Sequence, residues 1–364
     1  MLITAAVARS PGQPFRLEHV DLDDPRADEV LVKVHSTGIC HTDLSARDQR
    51  MPTPIPAVLG HEGAGVVERV GVGVTKFAVG DHVVMTFDHC GHCVPCTTGY
   101  SSYCVELVRR NLMGCRLDGS PTVRDADNKP IASVFFAQSS FATYAIGTER
   151  NLVKVSKDID LALLGQLGCG IQTGAAAIFN RLKLTPGTSV LICGVGPVGM
   201  AAVMAAKVAG CTSIVAFDLQ QPRLEAALTF GATAAIAGSA SDLPDRLRAI
   251  APLGFDAVVE TSGAQTVMDL AMGILRPLGT CVLLASGREV RISVSALLSA
   301  GRCLCGSSIA HGEADTFIPH LIELYRQGLF PIDRLVTRYR LDQINEACAA
   351  AESGQVIKPV LVMP

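Results

Sequence analysis

Ser189-Val-Leu-Ile-Cys-Gly194-Val-Gly196-Pro197-Val198-Gly199 is the stretch that decides the fold. A short apolar run, read as a buried strand, passes into G-x-G-x-x-G and then into an alanine-rich, helix-forming segment. The first glycine permits a tight turn. The second lets the backbone approach a pyrophosphate, and the third lets helix and strand pack closely. A helix N-terminus following such a turn favours an anion. Asp218 stands 19 residues beyond Gly199, at the end of the next apolar run. A carboxylate there can accept from both ribose hydroxyls of NAD and repels the 2′-phosphate of NADP. Arg223, five residues further on, is placed to touch the same ribose.

Outward from this motif the pattern repeats. Strand-like segments at 189–193, 213–217, 256–260 and 279–285 alternate with helix-like segments at 198–209, 222–230 and 265–275. Such alternation predicts an α/β region with a parallel sheet covered on both faces. Residues 1 to about 165 differ. They are rich in Val, Gly and Pro, with alternating runs such as Glu29-Val-Leu-Val-Lys-Val-His35 and Gly65-Val-Val-Glu-Arg-Val70, which read as strands between turns. Residues 116–130 are polar and turn-rich and predict a surface loop. Beyond about 310 come two helical stretches and a closing strand at 360–363.

Composition excludes several classes of function. With 364 residues, 49% apolar and 18% charged, the chain is not disordered. Its length suits two domains. A net charge of −3 argues against a nucleic-acid or acidic-membrane partner. No apolar run approaches the ~20 residues that a membrane helix needs. The opening Met1-Leu-Ile-Thr-Ala-Ala-Val lacks a basic segment and meets Arg9, Pro11 and Gly12 too early for a secretion signal, so the expected compartment is the cytoplasm. Thirteen cysteines, an odd number, then suggest metal binding rather than a disulfide framework.

Four of them, Cys90, Cys93, Cys96 and Cys104, are spaced C-x2-C-x2-C-x7-C among Gly91, Pro95 and Gly99. Four thiolates close a tetrahedral zinc shell and leave no room for substrate, so this site should be structural. A second set is dispersed: Cys40-His41-Thr42-Asp43, Gly60-His61-Glu62-Gly63 and Cys169. A shell of Cys40, His61 and Cys169 leaves one position open, the pattern of a catalytic zinc. Glu62 is either a ligand in exchange with water or a group beside the shell. Asp43 is suited to orient the His61 imidazole.

Taken together these residues resemble the zinc-dependent, medium-chain alcohol dehydrogenases, and the resemblance spans the chain. It rests on Gly38-Ile-Cys-His-Thr-Asp43, Gly60-His-Glu-Gly63, the four-cysteine lobe, residues 170–174, the glycine motif and Lys358-Pro-Val. Gln166-Leu-Gly-Cys-Gly-Ile-Gln-Thr-Gly174, Phe135-Phe-Ala-Gln-Ser-Ser-Phe141 and Phe330-Pro-Ile-Asp-Arg-Leu335 are similar to the aryl-alcohol and geraniol dehydrogenase subgroup. The resemblance implies a GroES-like, β-rich catalytic domain formed by residues 1–170 and 308–364, with a zinc lobe at 88–105, and a Rossmann domain at 171–307. It implies two zinc ions per chain, NAD, and reversible oxidation of aromatic or allylic primary alcohols to aldehydes.

Carried over position by position, Thr42 takes the alcohol proton, and His41 and Lys358 contact the pyrophosphate. Thr173 lies near the nicotinamide. Gly194, Gly196, Pro197, Val198, Gly199, Asp218, Leu219, Arg223 and Leu284 complete the cofactor site. Phe87, Phe141 and Ile309 line the substrate pocket. Ser45 stands where many members carry the histidine that ends a proton relay. The resemblance also implies a homo-oligomer, a dimer in preference to a tetramer. Competing readings are a general alcohol dehydrogenase, a glutathione-dependent formaldehyde dehydrogenase anchored by Arg109 or Arg110, and a zinc-ribbon nucleic-acid binder.

Overall fold

The structure, a computed structural model, describes residues 1–238, 242–285 and 289–364. The chain divides into two units. One comprises Met1–Cys169, Gly312–His320 and Ile332–Pro364; the other comprises Gly170–His311 and Leu321–Pro331. Residues 308–311 and 321–331 therefore belong to the second unit, unlike the boundary expected from sequence. That boundary came from the resemblance; an amphipathic helix such as Ala314–Arg326 advertises an apolar face but not which core it covers.

The first unit is built on strand Glu29–Gly38. Its residues alternate as a sheet demands: before Ser36, only Lys33 and His35 reach solvent. It anchors a seven-stranded sheet ordered Leu152–Val155, His82–Met85, Gly63–Val70, Glu29–Gly38, Lys358–Val362, Val336–Arg340, with Tyr144–Thr148 also paired to Glu29–Gly38. A second sheet of five strands includes Leu2–Ala8 and Arg16–Leu22. Val30, Leu31, Val32, Val34, Ile3, Val7, Phe15, Phe141 and Leu361 are among the buried residues of one shared core. The C-terminal strand pairs antiparallel with Glu29–Gly38, Val360 opposite Gly38. This register carries Lys358 to the chain that enters Cys40.

Residues 116–130 are not simply a surface loop. Val123–Arg124 pairs with Pro130–Ile131, and the Arg116 guanidinium is buried against Glu29 at 2.6 Å and Asp23 at 2.7 Å. Its polarity serves an internal ion pair, which composition alone does not distinguish from solvation.

The second unit holds six parallel strands in the order Ala234–Ala237, Ser213–Asp218, Ser189–Cys193, Phe255–Glu260, Leu275–Leu283, Cys303–Gly306. The chain builds outward from Ser189–Cys193 to one edge, then returns to its other side with Phe255–Glu260. Ligands of such sheets bind at the carboxyl ends beside this reversal. Leu275 opens a strand, although sequence periodicity grouped it with the preceding helix. Among the described residues, no single helix is long and apolar enough to cross a membrane.

Candidate functional site

Cys40 ends the approach to helix His41–Arg47 in an extended conformation, as its N-cap. The fully buried Asp43 carboxylate ties together the two loops that meet here. It accepts from Cys40 N–H at 2.9 Å and Gly60 N–H at 3.1 Å, and from His61 Nδ1 at 2.8 Å. With its proton held at Nδ1, the imidazole presents a lone pair at Nε2. That atom is buried and has no hydrogen-bond partner. One ligand atom from each of Cys40, His61, Glu62 and Cys169 lies within 4.8 Å of the others. A buried, unpaired imidazole nitrogen facing two sulfurs is a costly arrangement unless a cation completes it. The donor set therefore fits zinc.

The electrostatics agree. A hydrogen bond from the Cys169 thiol, opposed by burial and aided by His61, holds Cys40 well below the ordinary thiol range. The same contact and burial hold Cys169 well above it. Burial opposes an imidazolium at His61, but the Asp43 carboxylate and Cys40 thiolate outweigh it and raise its pKa. Burial raises Glu62, against the pull of Lys358. The site thus draws positive charge into a buried pocket.

Thr42 Oγ1 lies 3.7 Å from Cys40 Sγ, so the structure brings this hydroxyl to the ligand cluster. Lys358 reaches the same cluster. Its buried ammonium is ion-paired to Glu62 and donates to Ile39 O at 3.0 Å. That pairing fixes where the ammonium sits beside Glu62. Phe141 is a correction. It is a core ring, edge-on to Phe15 at 5.6 Å and packed against Gly60, not an open pocket wall. Phe87 is buried but lies 6.0 Å from His89, outside that core group. Sequence reasoning missed the rings that flank the imidazole: Phe136 stacks on His61 at 4.7 Å and Phe135 meets it edge-on at 5.5 Å. Their only signal was the Phe-Phe pair itself.

Cys90, Cys93, Cys96 and Cys104 converge as expected. Sulfur separations of 3.4 Å (Cys93–Cys96), 3.9 Å (Cys90–Cys96) and 4.0 Å (Cys93–Cys104) bracket the edge of about 3.8 Å that a tetrahedron with Zn–S near 2.3 Å requires. Backbone N–H groups of Cys93, Cys90 and Glu106 point at these sulfurs at 3.3, 3.2 and 3.4 Å, which stabilises thiolates. Arg110 lies close by but is held by Asp88 at 3.0 Å and Glu106 at 2.8 Å, with its side chain 9% exposed. It is therefore not a free anchor for a substrate carboxylate.

In the second unit, Gly194 turns at φ +84°, where a side chain would strike Thr261 Oγ1. A Cβ at Gly199 would sit 1.9 Å from Gly194 O, so only glycine lets helix Pro197–Val208 seat on its strand. Gly196 differs: the nearest atom to a Cβ placed there would be Arg223 Nη1 at 3.8 Å, which leaves space over the turn. Arg223 Nε is buried without a hydrogen-bond partner. Asp218 ends strand Ser213–Asp218 and accepts from Val195 N–H at 2.8 Å and Gln220 N–H at 2.9 Å. These features fit a dinucleotide. Pro197 and Val198 form the first turn of the helix, and Thr173 lies in helix Gly170–Ala176. Leu284 N–H donates to Glu260 O, Leu219 is exposed, His41 is exposed, and Ile309 is buried at φ +51°.

Comparison with known proteins agrees with this geometry. The model of the alcohol dehydrogenase GroES-like domain matches residues 26–157, and that of the zinc-binding dehydrogenase matches residues 197–325. A geraniol dehydrogenase of Castellaniella defragrans is 43% identical, over 98% of this chain and 97% of that one. The crystal structure of benzyl alcohol dehydrogenase from Acinetobacter calcoaceticus superposes with a TM-score of 0.96 at 42% identity, covering 100% of both chains. An alcohol dehydrogenase zinc-binding domain protein from Burkholderia ambifaria gives 0.97 at 47% identity, covering 100% of this chain and 99% of that one. The chain belongs to the zinc-dependent medium-chain alcohol dehydrogenase family.

Proposed function

We propose that this protein catalyses reversible, NAD-linked oxidation of aromatic or allylic primary alcohols to aldehydes. The observation that carries the reading is the buried, unpartnered His61 Nε2 facing Cys40 and Cys169. Cys40, His61 and Cys169 would hold one zinc, with Glu62 alongside, and Cys90, Cys93, Cys96 and Cys104 a second. When bound, zinc at the open site supplies Lewis-acid polarisation of an alcohol oxygen, and NAD supplies the hydride acceptor.

The chain's own residues do the rest. Asp43 fixes the His61 tautomer and ring plane through its 2.8 Å bond. The Thr42 hydroxyl, beside Cys40, takes the alcohol proton. Ser45, one turn along the same helix, offers no imidazole to pass it on, so the proton leaves by another route. Lys358 balances Glu62, keeping a buried carboxylate from competing freely with the sulfurs for the metal. Gly194, Gly196 and the first turn of helix Pro197–Val208 receive the pyrophosphate; His41 and Lys358 remain proposed cofactor contacts. Asp218 and Arg223 face the ribose. Phe87, in the first unit, and Ile309, in the second, each remain a proposed substrate contact. The names of two relatives, a geraniol and a benzyl alcohol dehydrogenase, support the substrate class. Arg110, tied to Asp88 and Glu106, is removed as an anchor for a glutathione adduct, which leaves the exposed Arg109 as the one candidate named for it. A homo-oligomer, dimeric before tetrameric, belongs to the same reading.

An NAD-coupled assay with benzyl alcohol, geraniol, ethanol and a glutathione–formaldehyde mixture tests it. Burying a phenyl ring in place of a methyl group adds on the order of 100 Å² of apolar contact, worth about 2.5 kcal/mol. If that energy is expressed in the transition state, kcat/KM for benzyl alcohol exceeds that for ethanol by at least ~50-fold. Equal efficiency on ethanol overturns the substrate assignment.

A further inference from the structure

His61 and Cys169 come from separate loops, yet their metal-binding atoms must meet within a few ångströms. A chain of buried side-chain hydrogen bonds runs between the two loops. The Gln138 carboxamide oxygen accepts from Gly63 N–H at 3.0 Å. Its NH2 donates to His61 O and to Thr86 O, each at 3.0 Å. The Thr86 hydroxyl then donates to Gly168 O at 2.7 Å, the carbonyl immediately before Cys169. Gln138 and Thr86 are each 1% exposed. Both donors of the carboxamide are used, and water has no access to replace them.

The backbone that presents Gln138 is strained. Phe136, Ala137 and Ser139 have φ of +50°, +56° and +52°, a region that non-glycine residues seldom adopt. Surrounding bonds hold them there. Ser139 Oγ accepts from Phe135 N–H at 2.9 Å and donates to Val58 O at 2.7 Å, and Asn151 donates to Ala137 O at 3.0 Å. Strain of this kind persists where the fold over-determines a segment, commonly next to a functional site. Here the segment also carries Phe136, stacked on the His61 ring.

We propose that Gln138 and Thr86 are positioning residues: together they form a brace that sets the spacing of His61 and Cys169 for the catalytic metal. The inference rests on Cys40, His61 and Cys169 holding a zinc. Gln138 fixes the backbone on both sides of Glu62, and Thr86 transmits that position to the peptide that leads into Cys169. Neither side chain belongs to the four-atom ligand cluster. Their effect therefore falls on metal retention and coordination geometry, and an ordinary core contact would affect neither selectively.

The test uses the full-length protein purified with its metal. Zinc transfer to a chromophoric chelator is followed for wild type, Thr86→Val, Gln138→Met and the conservative Thr86→Ser. Visible spectra of cobalt-grown protein are recorded alongside. The brace predicts that Thr86→Val and Gln138→Met each release one of two zinc ions about 10–100-fold faster and shift the cobalt ligand-field bands. The other zinc keeps its wild-type rate, and Thr86→Ser behaves as wild type. Having both the valine and the methionine variant guards against one failing to fold. Release at the wild-type rate, equal weakening of both zinc sites, or a lowered Tm with an unchanged cobalt spectrum overturns the brace. Wild type carrying a single zinc overturns instead the metal reading beneath it.

Discussion

Replacing Asp43 by asparagine keeps the side chain's shape and removes its charge. Both carboxylate oxygens are in use: Oδ1 accepts from His61 Nδ1 and Gly60 N–H, and Oδ2 accepts from Cys40 N–H. An amide has one acceptor oxygen, so its NH2 must face at least one of these donors. The less damaging orientation keeps oxygen towards His61 and turns NH2 towards Cys40 N–H. One buried donor then goes unsatisfied, at about 1–3 kcal/mol. The His61 bond also changes from charge-assisted to neutral, which roughly halves its strength. Losing this support for an imidazole ligand costs about 10–100-fold in metal affinity, equivalent to about 1.4–2.7 kcal/mol. The assay is equilibrium competition with a chelator, with the four-thiolate zinc as internal control. Added zinc should restore much of the lost turnover. A folded Asp43→Asn protein that binds both zinc ions within twofold of wild type refutes the reasoning, since Asp43 would then be a loop tether without influence on the metal.

Other perturbations probe separate parts of the account. Asp256 accepts from Ser189 N–H and Oγ and pairs with Arg276; burial opposes its charge, but these partners outweigh it and depress its pKa. A depressed carboxylate contributes stability that is present above the unfolded value of about 3.9 and lost as pH falls through the lower folded value. Asp256→Asn should therefore flatten the loss of thermal stability below pH ~4, and an unchanged acid profile contradicts the assignment. Gly199→Ala drives a methyl group into Gly194 O and should lower Tm and weaken NAD binding together, read by calorimetry and cofactor titration. Wild type should prefer NAD to NADP at least tenfold, and Asp218→Gly should narrow that ratio; a native preference for NADP refutes the role given to Asp218. Cys93→Ser should give poorly soluble protein, measured as recovery after centrifugation, because the lobe loses one of four converging sulfurs.

The two clusters of candidate metal ligands and the glycine turn were legible in the sequence because their chemistry is local. Four cysteines within 15 residues can do little else than wrap an ion, and G-x-G-x-x-G between a strand and a helix fixes its own turn. Asp43 was legible for a related reason: it lies in the first turn of the helix that Cys40 caps, and its distant partners, Gly60 and His61, are neighbours in one short motif. The Lys358–Glu62 pair and the packing of Phe141 on Phe15 were not. Whether Lys358 points outward or pairs with Glu62 depends on the register of Lys358–Val362 against Glu29–Gly38, a contact across more than three hundred residues. Phe141 carries the same apolar signal whether it lines a pocket or packs on Phe15. Gln138 and Thr86 are ordinary polar residues in sequence, and the left-handed backbone around Gln138 has no glycine to announce it. Arg116 illustrates the same limit, since its burial depends on Glu29 and Asp23 arriving from another strand.

We propose that three residues of the first unit, Cys40, His61 and Cys169, hold a catalytic zinc distinct from the four-cysteine site. The most direct test is metal analysis of wild type and Cys40→Ser, with benzyl alcohol turnover measured on the same preparations. The account predicts two zinc ions per chain and NAD-linked activity in wild type, and in Cys40→Ser one zinc, a folded protein and no turnover. Fully active wild type with a single zinc, or Cys40→Ser retaining two zinc ions and its activity, would contradict it.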